Sequence, residues 1–163
     1  MRHGIWANEQ LIAHLRKLDD AKLDLTTAGT YGTIRNTIAH VVASEEGYLV
    51  RLLGVVFHDQ AFRPDHPASL DEIAEHVAHV KDGVERLFSR GAPDADRVIP
   101  DTPLRPRNAP RFEMAAWAPA SQFVYHGVDH RSQIDTILSA HGLETIDLQI
   151  WPYAMELGAS RQV

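Results

Sequence analysis

The sequence predicts an all-α fold: a bundle of four principal helices with one long Pro-rich crossover loop and a short C-terminal helix. Three observations carry this expectation. Apolar residues recur at the 3.6-residue period over several long segments. Clusters of Pro, Gly and Asp separate those segments and act as stops. Pro93, Pro100, Pro103, Pro106 and Pro110 crowd into one interval, where they forbid a long helix. The chain has 163 residues and 44% hydrophobic content, enough for one domain with a sizeable core and short for two, so residues 1–163 read as a single domain.

The first helix is expected from about Ile5 to Leu18, with Trp6, Leu11, Leu15 and Leu18 forming a partial stripe. The second, from about Thr33 to Leu53, places Ile34, Ile38, Val41, Val42, Leu49, Leu52 and Leu53 on one side, and Gly54 closes it. After the loop from Arg63 to Ala68, Ser69 and Glu72 have the spacing of a capping box, and Leu70, Ile73, Val77, Val80, Val84 and Leu87 make the buried stripe of a third helix. Between Gly91 and Trp117 the prolines impose a long crossover loop, in which Arg97-Val98-Ile99 and Arg111-Phe112-Glu113-Met114 are candidate extended pieces of a small hairpin. The fourth helix is expected to start near Pro119 or Ala120 and to stop at His141-Gly142. A short final helix is expected around Asp147 to Leu157, its start limited by Pro152.

Composition narrows the chemistry. A formal net charge of -6 argues against a phosphate-binding surface, and the Arg105, Arg107 and Arg111 cluster, interrupted by Pro106 and Pro110, reads as a solvated loop; no nucleic-acid partner is expected. With no cysteine, disulfides and thiolate ligands are excluded, and any metal must be held by His, Asp or Glu. No signal peptide and no apolar run of about 18 residues is present, so a soluble, cytoplasmic protein without a membrane partner is expected.

The most informative local pattern is His126-Gly127-Val128-Asp129-His130 in the fourth helix. Residues four apart on a helix lie one above the other, so two imidazoles at this spacing can reach a single ion. Ten histidines in a chain of this length give roughly 0.6 such pairs by chance alone, so a third ligand is needed. On a helical wheel His126 and His130 share an arc with Phe123, Ile134 and Ile137 and so face the core, where a polar group without a partner costs about 1 to 3 kcal/mol. His40 falls away from the apolar stripe of the second helix, on a side with Thr33, Thr37, Ser44 and Gly47. That side either meets another packing partner or leaves His40 partly exposed.

The other histidines read as surface groups. His79 lies with Glu72, Glu75 and Asp82 on the polar side of the third helix, and His76 borders its stripe; His3, His14, His58, His66 and His141 lie near termini, loops or polar faces. Glu45 falls on the apolar arc of the second helix, where a carboxylate needs a partner: it is either a candidate base or half of a buried ion pair with an Arg. Gln133 and Asp129 neighbour the His pair and are candidates to orient an imidazole N–H. Tyr48, Trp6, Trp151 and Tyr153 are candidates either to line a pocket or to fill the core.

An early helix reading Thr37-Ile38-Ala39-His40-Val41-Val42-Ala43-Ser44-Glu45-Glu46, together with a distant late helix reading His126-Gly127-Val128-Asp129-His130-Arg131-Ser132-Gln133-Ile134, resembles the DinB/YfiT-like family of four-helix-bundle proteins. The resemblance covers nearly the full length. It implies that His40, His126 and His130 ligate a divalent ion, most often zinc or nickel, with water completing the shell. It further implies a metal-dependent transferase using a low-molecular-weight thiol such as mycothiol or bacillithiol, or a hydrolase, acting on a small-molecule substrate; a homodimer is in keeping with it. The absent cysteine fits a nucleophile supplied by a thiol cosubstrate. The alternative is a stress-response or small-molecule-binding bundle without turnover.

Overall fold

In the computed structural model, residues 1–54, 67–89, 91, 94–100 and 112–161 are described. Their order is α1 (Arg2–Leu15), a 3-10 turn (Asp20–Asp24), α2 (Ile34–Leu53), α3 (Leu70–Ser89), β1 (Val98–Ile99), β2 (Met114–Ala115), α4 (Trp117–Ala140) and α5 (Ile150–Glu156). The fold is an all-α bundle. Helix α2 packs most extensively against α4 and α3, and α1 packs against α3 and α4, so α1 and α2 face each other across the diagonal. No described helix is long and apolar enough to cross a membrane.

The start and stop signals of α2 and α3 act locally. Thr33 caps α2 by accepting the Asn36 N–H at 3.1 Å. Gly54 ends it with φ 71°, a left-handed conformation that a residue with a Cβ adopts only at a cost. The capping box of α3 is reciprocal: Glu72 N–H donates to Ser69 Oγ at 3.2 Å, while the Glu72 carboxylate accepts from the Ser69 N–H at 2.7 Å. The expected stripes of α2 and α3 form the core, with Ile34, Ile38, Val42, Leu49, Leu52, Ile73, Val77, Val80 and Val84 all inaccessible or nearly so. Phe123, Ile134, Ile137 and Leu138 of α4 join the same cluster.

Three helices differ in their bounds from the sequence expectation. Helix α1 runs from Arg2 to Leu15: past it, Lys17 and Leu18 donate to His14 and Leu15 in three-residue turns, so the apolar period reaches Leu18 but the helix does not. Helix α4 begins at Trp117, ahead of Pro119, because a proline within the first turn removes an N–H that has no intrahelical acceptor. Helix α5 begins at Ile150, leaving Pro152 in its first turn, and Asp147 instead accepts the Gln149 N–H from outside.

The expected hairpin is present as an antiparallel pair, with Val98 opposite Ala115 and Ile99 opposite Met114, so its second piece lies slightly later than the sequence suggests. Ile99 points into the core while Val98 is exposed, and Arg97 donates to the Leu52 carbonyl at 2.9 Å, tying the hairpin to the end of α2. Residues 55–66, 90, 92–93, 101–111 and 162–163 are outside the described residues. The readings of His58, His66, most of the Arg63–Ala68 loop and the Arg105, Arg107 and Arg111 cluster fall there.

Candidate metal centre

The heavy packing of α4 on α2 sets the side of α2 that carries His40 against the side of α4 that carries His126 and His130. His40 Nε2 and His126 Nε2 lie 3.0 Å apart. Ring centroids are separated by 4.8 Å for His40 and His126, 4.9 Å for His40 and His130, and 4.4 Å for His126 and His130. One ring nitrogen from each lies within 4.8 Å of the others, and no carboxylate among the described residues joins the group. The structure therefore brings all three sequence candidates together.

The surrounding polar groups fix which nitrogen faces the centre. Gln133 Oε1 lies 3.1 Å from His130 Nδ1, and because an amide oxygen only accepts, Nδ1 carries the proton and Nε2 keeps its lone pair. The same Gln133 oxygen accepts the Tyr31 N–H at 2.9 Å, and its amide nitrogen donates to Asp129 Oδ2 at 3.1 Å. Asp129 thus orients Gln133, and Gln133 orients His130. His126 Nδ1 is buried without a hydrogen-bond partner among the described residues.

Burial decides the charge state. Desolvation, reinforced by the positive charge that His130 and His40 would carry, pushes the His126 imidazole down to about 4. His40 is lowered by burial first and by His130 second. Both rings are neutral near pH 7, the form that ligates metal. Between those two rings the 3.0 Å contact can be one hydrogen bond, with a single proton shared between His40 and His126. The donors are borderline and convergent, and they fit a divalent ion such as zinc, nickel, copper or iron.

Tyr31 belongs to the site although nothing in the sequence analysis singled it out. Its ring stacks on His40 with centroids 4.1 Å apart and planes 14° apart, and its edge meets His130 at 5.1 Å. The loop that carries it is held by the Leu25 carbonyl accepting the Ile34 N–H, and by buried Arg35 reaching Asp20 and Asp24 in the 3-10 turn. A Thr-Ala-Gly-Thr-Tyr-Gly turn immediately before the helix bearing His40 was the available signal. Tyr48 lies beside His126, its ring 5.8 Å away, and its hydroxyl bonds to Gln122 and Ser44.

Glu45 is fully buried and meets Asn8 and Arg131 instead of the histidines. Asn8 donates to Glu45 Oε2 at 2.8 Å, Arg131 Nη1 donates to Asn8 Oδ1 at 2.8 Å, and Arg131 Nη1 stands 3.5 Å from Glu45 Oε1. The ion-pair reading of Glu45 describes this geometry. Burial raises its carboxyl to about 7 against the opposing pull of Arg131 and Asn8. Gly127, between the two histidines, makes the arrangement possible: a Cβ there would stand 2.8 Å from Arg131 Nη1 and 3.0 Å from Glu45 Oε1.

Other sequence readings shift. Trp6 and Tyr153 form an aromatic cluster with His3, with Trp6 Nε1 donating to Glu156, and line a small pocket with Arg2, Glu9 and Glu85, one of the two alternatives for them, while Trp151 is exposed. His14 is buried with Nε2 2.8 Å from the Glu144 carbonyl oxygen, not on a polar face. His76 is also buried, with Nδ1 2.8 Å from Glu46 Oε1, because the neighbouring α2 covers the border of the α3 stripe. Two cavities lie elsewhere. One of about 730 Å³ runs between α4 and residues 145–150, and another of about 490 Å³ lies near Trp117, Phe88 and Leu52.

Fold and donor set together define a helical bundle with a candidate three-histidine metal centre. The model of the DinB superfamily matches residues 5–134, which include all three histidines. The crystal structure of a DinB-like protein from Bacillus cereus superposes with a TM-score of 0.62 at 19% identity, covering 86% of this chain and 89% of that one, and shares its fold. No curated protein matches the chain significantly. The chain belongs to the DinB superfamily.

Proposed function

We propose that the protein is a metal-dependent enzyme in which His40, His126 and His130 hold a divalent ion, zinc or nickel, and that it transfers a low-molecular-weight thiol of the mycothiol or bacillithiol type to a small electrophile. Hydrolysis of a small substrate is the variant of the same reading. The observation that carries it is the convergence of three imidazoles, with no carboxylate among the described residues joining the group. A divalent ion in such a set supplies Lewis acidity, lowering the pKa of a thiol or water molecule brought to it.

The chain's own residues do the rest. Gln133 holds the His130 tautomer, and burial keeps His126 and His40 neutral. Tyr31 covers one face of His40 and narrows the approach of water. The Tyr48 ring flanks His126, and its hydroxyl is held by Gln122 and Ser44. With no cysteine in the chain, the sulfur nucleophile comes from the cosubstrate.

A second reading, a small-molecule-binding bundle without turnover, is favoured by one observation: the cavity of about 730 Å³ lies in the usual range for ligand pockets and does not include the three histidines. Thermal-shift measurements on untagged, metal-loaded protein with mycothiol, bacillithiol and glutathione, followed by turnover of a model electrophile, separate the readings. A shift with one thiol that disappears in His126→Ala, together with turnover, supports transfer. Silence across all three thiols removes transfer, leaving hydrolysis or binding.

A further inference from the structure

The contact between α2 and α3 holds a second group of metal-type donors that the proposed reaction does not use. Glu46 of α2 and His76 of α3 are both buried, 8% exposed each, with Glu46 Oε1 2.8 Å from His76 Nδ1. His79 is three residues further along α3 and so shares the face of His76; the two rings are 5.8 Å apart at 80°. One ligand atom from each of Glu46, His76 and His79 lies within 4.8 Å of the others.

Two imidazoles and one carboxylate are a set used for zinc and for iron(II). The group differs from the three-histidine centre in carrying an anion, and the carboxylates of Glu72 and Glu75 act on His76 with the same negative sign. That field favours a cation between the helices. His40 and Glu46 are six residues apart on α2, which amounts to a rise of about 9 Å and a turn of about 240°. The two groups therefore belong to different faces, one toward α4 and one toward α3, and do not share an ion.

We propose that Glu46, His76 and His79 form a second binding site for a divalent first-row transition ion, which pins α3 to α2. The site is independent of the reading of His40, His126 and His130. Its test is cobalt(II) titration of untagged, metal-free, full-length protein, read by equilibrium dialysis and visible absorption.

The His126→Ala variant, with the three-histidine centre disabled, is expected to take up about one cobalt ion per chain and to melt at a higher temperature with cobalt than without. Adding His79→Ala, at a partly exposed position, or the isosteric Glu46→Gln is expected to abolish both effects, with circular dichroism confirming the fold. No uptake by His126→Ala overturns the proposal, as does full uptake by both double variants. The single variant His79→Ala reports on the other centre: if it alone fails to bind cobalt, the three-histidine reading falls and the second site stands.

Discussion

Two polar clusters between the helices differ in how their charges are settled. Around Glu45, the carboxylate and the Arg131 guanidinium are opposite in sign and are bridged by the Asn8 amide, although all three are buried and Glu45 Oε1, 3.5 Å from Arg131 Nη1, makes no hydrogen bond among the described residues. One step along α4, His40, His126 and His130 bring three like groups together with at most one shared proton among them and no carboxylate ligand among the described residues. A cluster of opposite charges bridged by an amide holds helices together, whereas convergent lone pairs of like groups call for something added. The contrast underlies the proposal that Glu45 serves structure and the histidines chemistry, and each variant below can break it.

The largest effect is expected where the buried ion pair is cut. Glu45→Ala leaves the Arg131 guanidinium buried without its anion and is predicted to lower stability by about 3 to 5 kcal/mol in urea unfolding. Metal affinity of the molecules that remain folded should stay unchanged; a loss of metal with little loss of stability would move Glu45 into the site.

His126→Ala is expected to do the reverse. In a His79→Ala background, so that only the α2–α4 centre is read, it should weaken zinc binding by at least about 100-fold, since one of three protein ligands is gone. Unfolding of the metal-free protein should change far less than in Glu45→Ala. Equal metal affinity with and without His126, measured by competition against a chelator, would dissolve the contrast.

A smaller change probes the support. Gln133→Ala releases the His130 tautomer and the Tyr31 N–H together, with an expected loss of about 10- to 100-fold in metal affinity. The smallest effect concerns pH in the metal-free protein. His126 is lowered to about 4 in the fold from an ordinary 6.5, so its neutral form is favoured by folding. Its contribution to stability is present above pH 6.5, declines as pH falls, and is gone by about pH 4. Wild type and His126→Ala should therefore differ in unfolding free energy by an amount that changes across this window; a constant difference would place His126 in a solvated environment.

Much of this architecture could be read from local pattern. Thr33, Gly54, Ser69 with Glu72 and Gly142 act through bonds within a few residues, and the stripes of α2 and α3 need only the helical period. The inward direction of His126 and His130 is visible on a wheel for the same reason. His40 is different: its small neighbours indicate a close partner, but only the packing of α4 on α2 shows which one.

What escaped the sequence depends on contacts between elements. Tyr31 reaches His40 through a loop whose course is set by Arg35 and the 3-10 turn. The need of Glu45 for a partner was legible, but the identity of Asn8 and Arg131 was not, because they come from α1 and α4. His76 looked like a surface residue because a wheel describes one helix and not the α2 face that covers it. The early start of α4 was hidden by Pro119, which reads as a break although it is harmless in a first turn.

The central claim is that the three imidazoles converge in order to hold one ion. An anomalous difference map, collected above the zinc absorption edge from crystals of untagged protein grown with zinc, tests it most directly. The account predicts a peak bonded to His40, His126 and His130 that is absent from His126→Ala crystals. A map without density among those three rings at saturating zinc would contradict it.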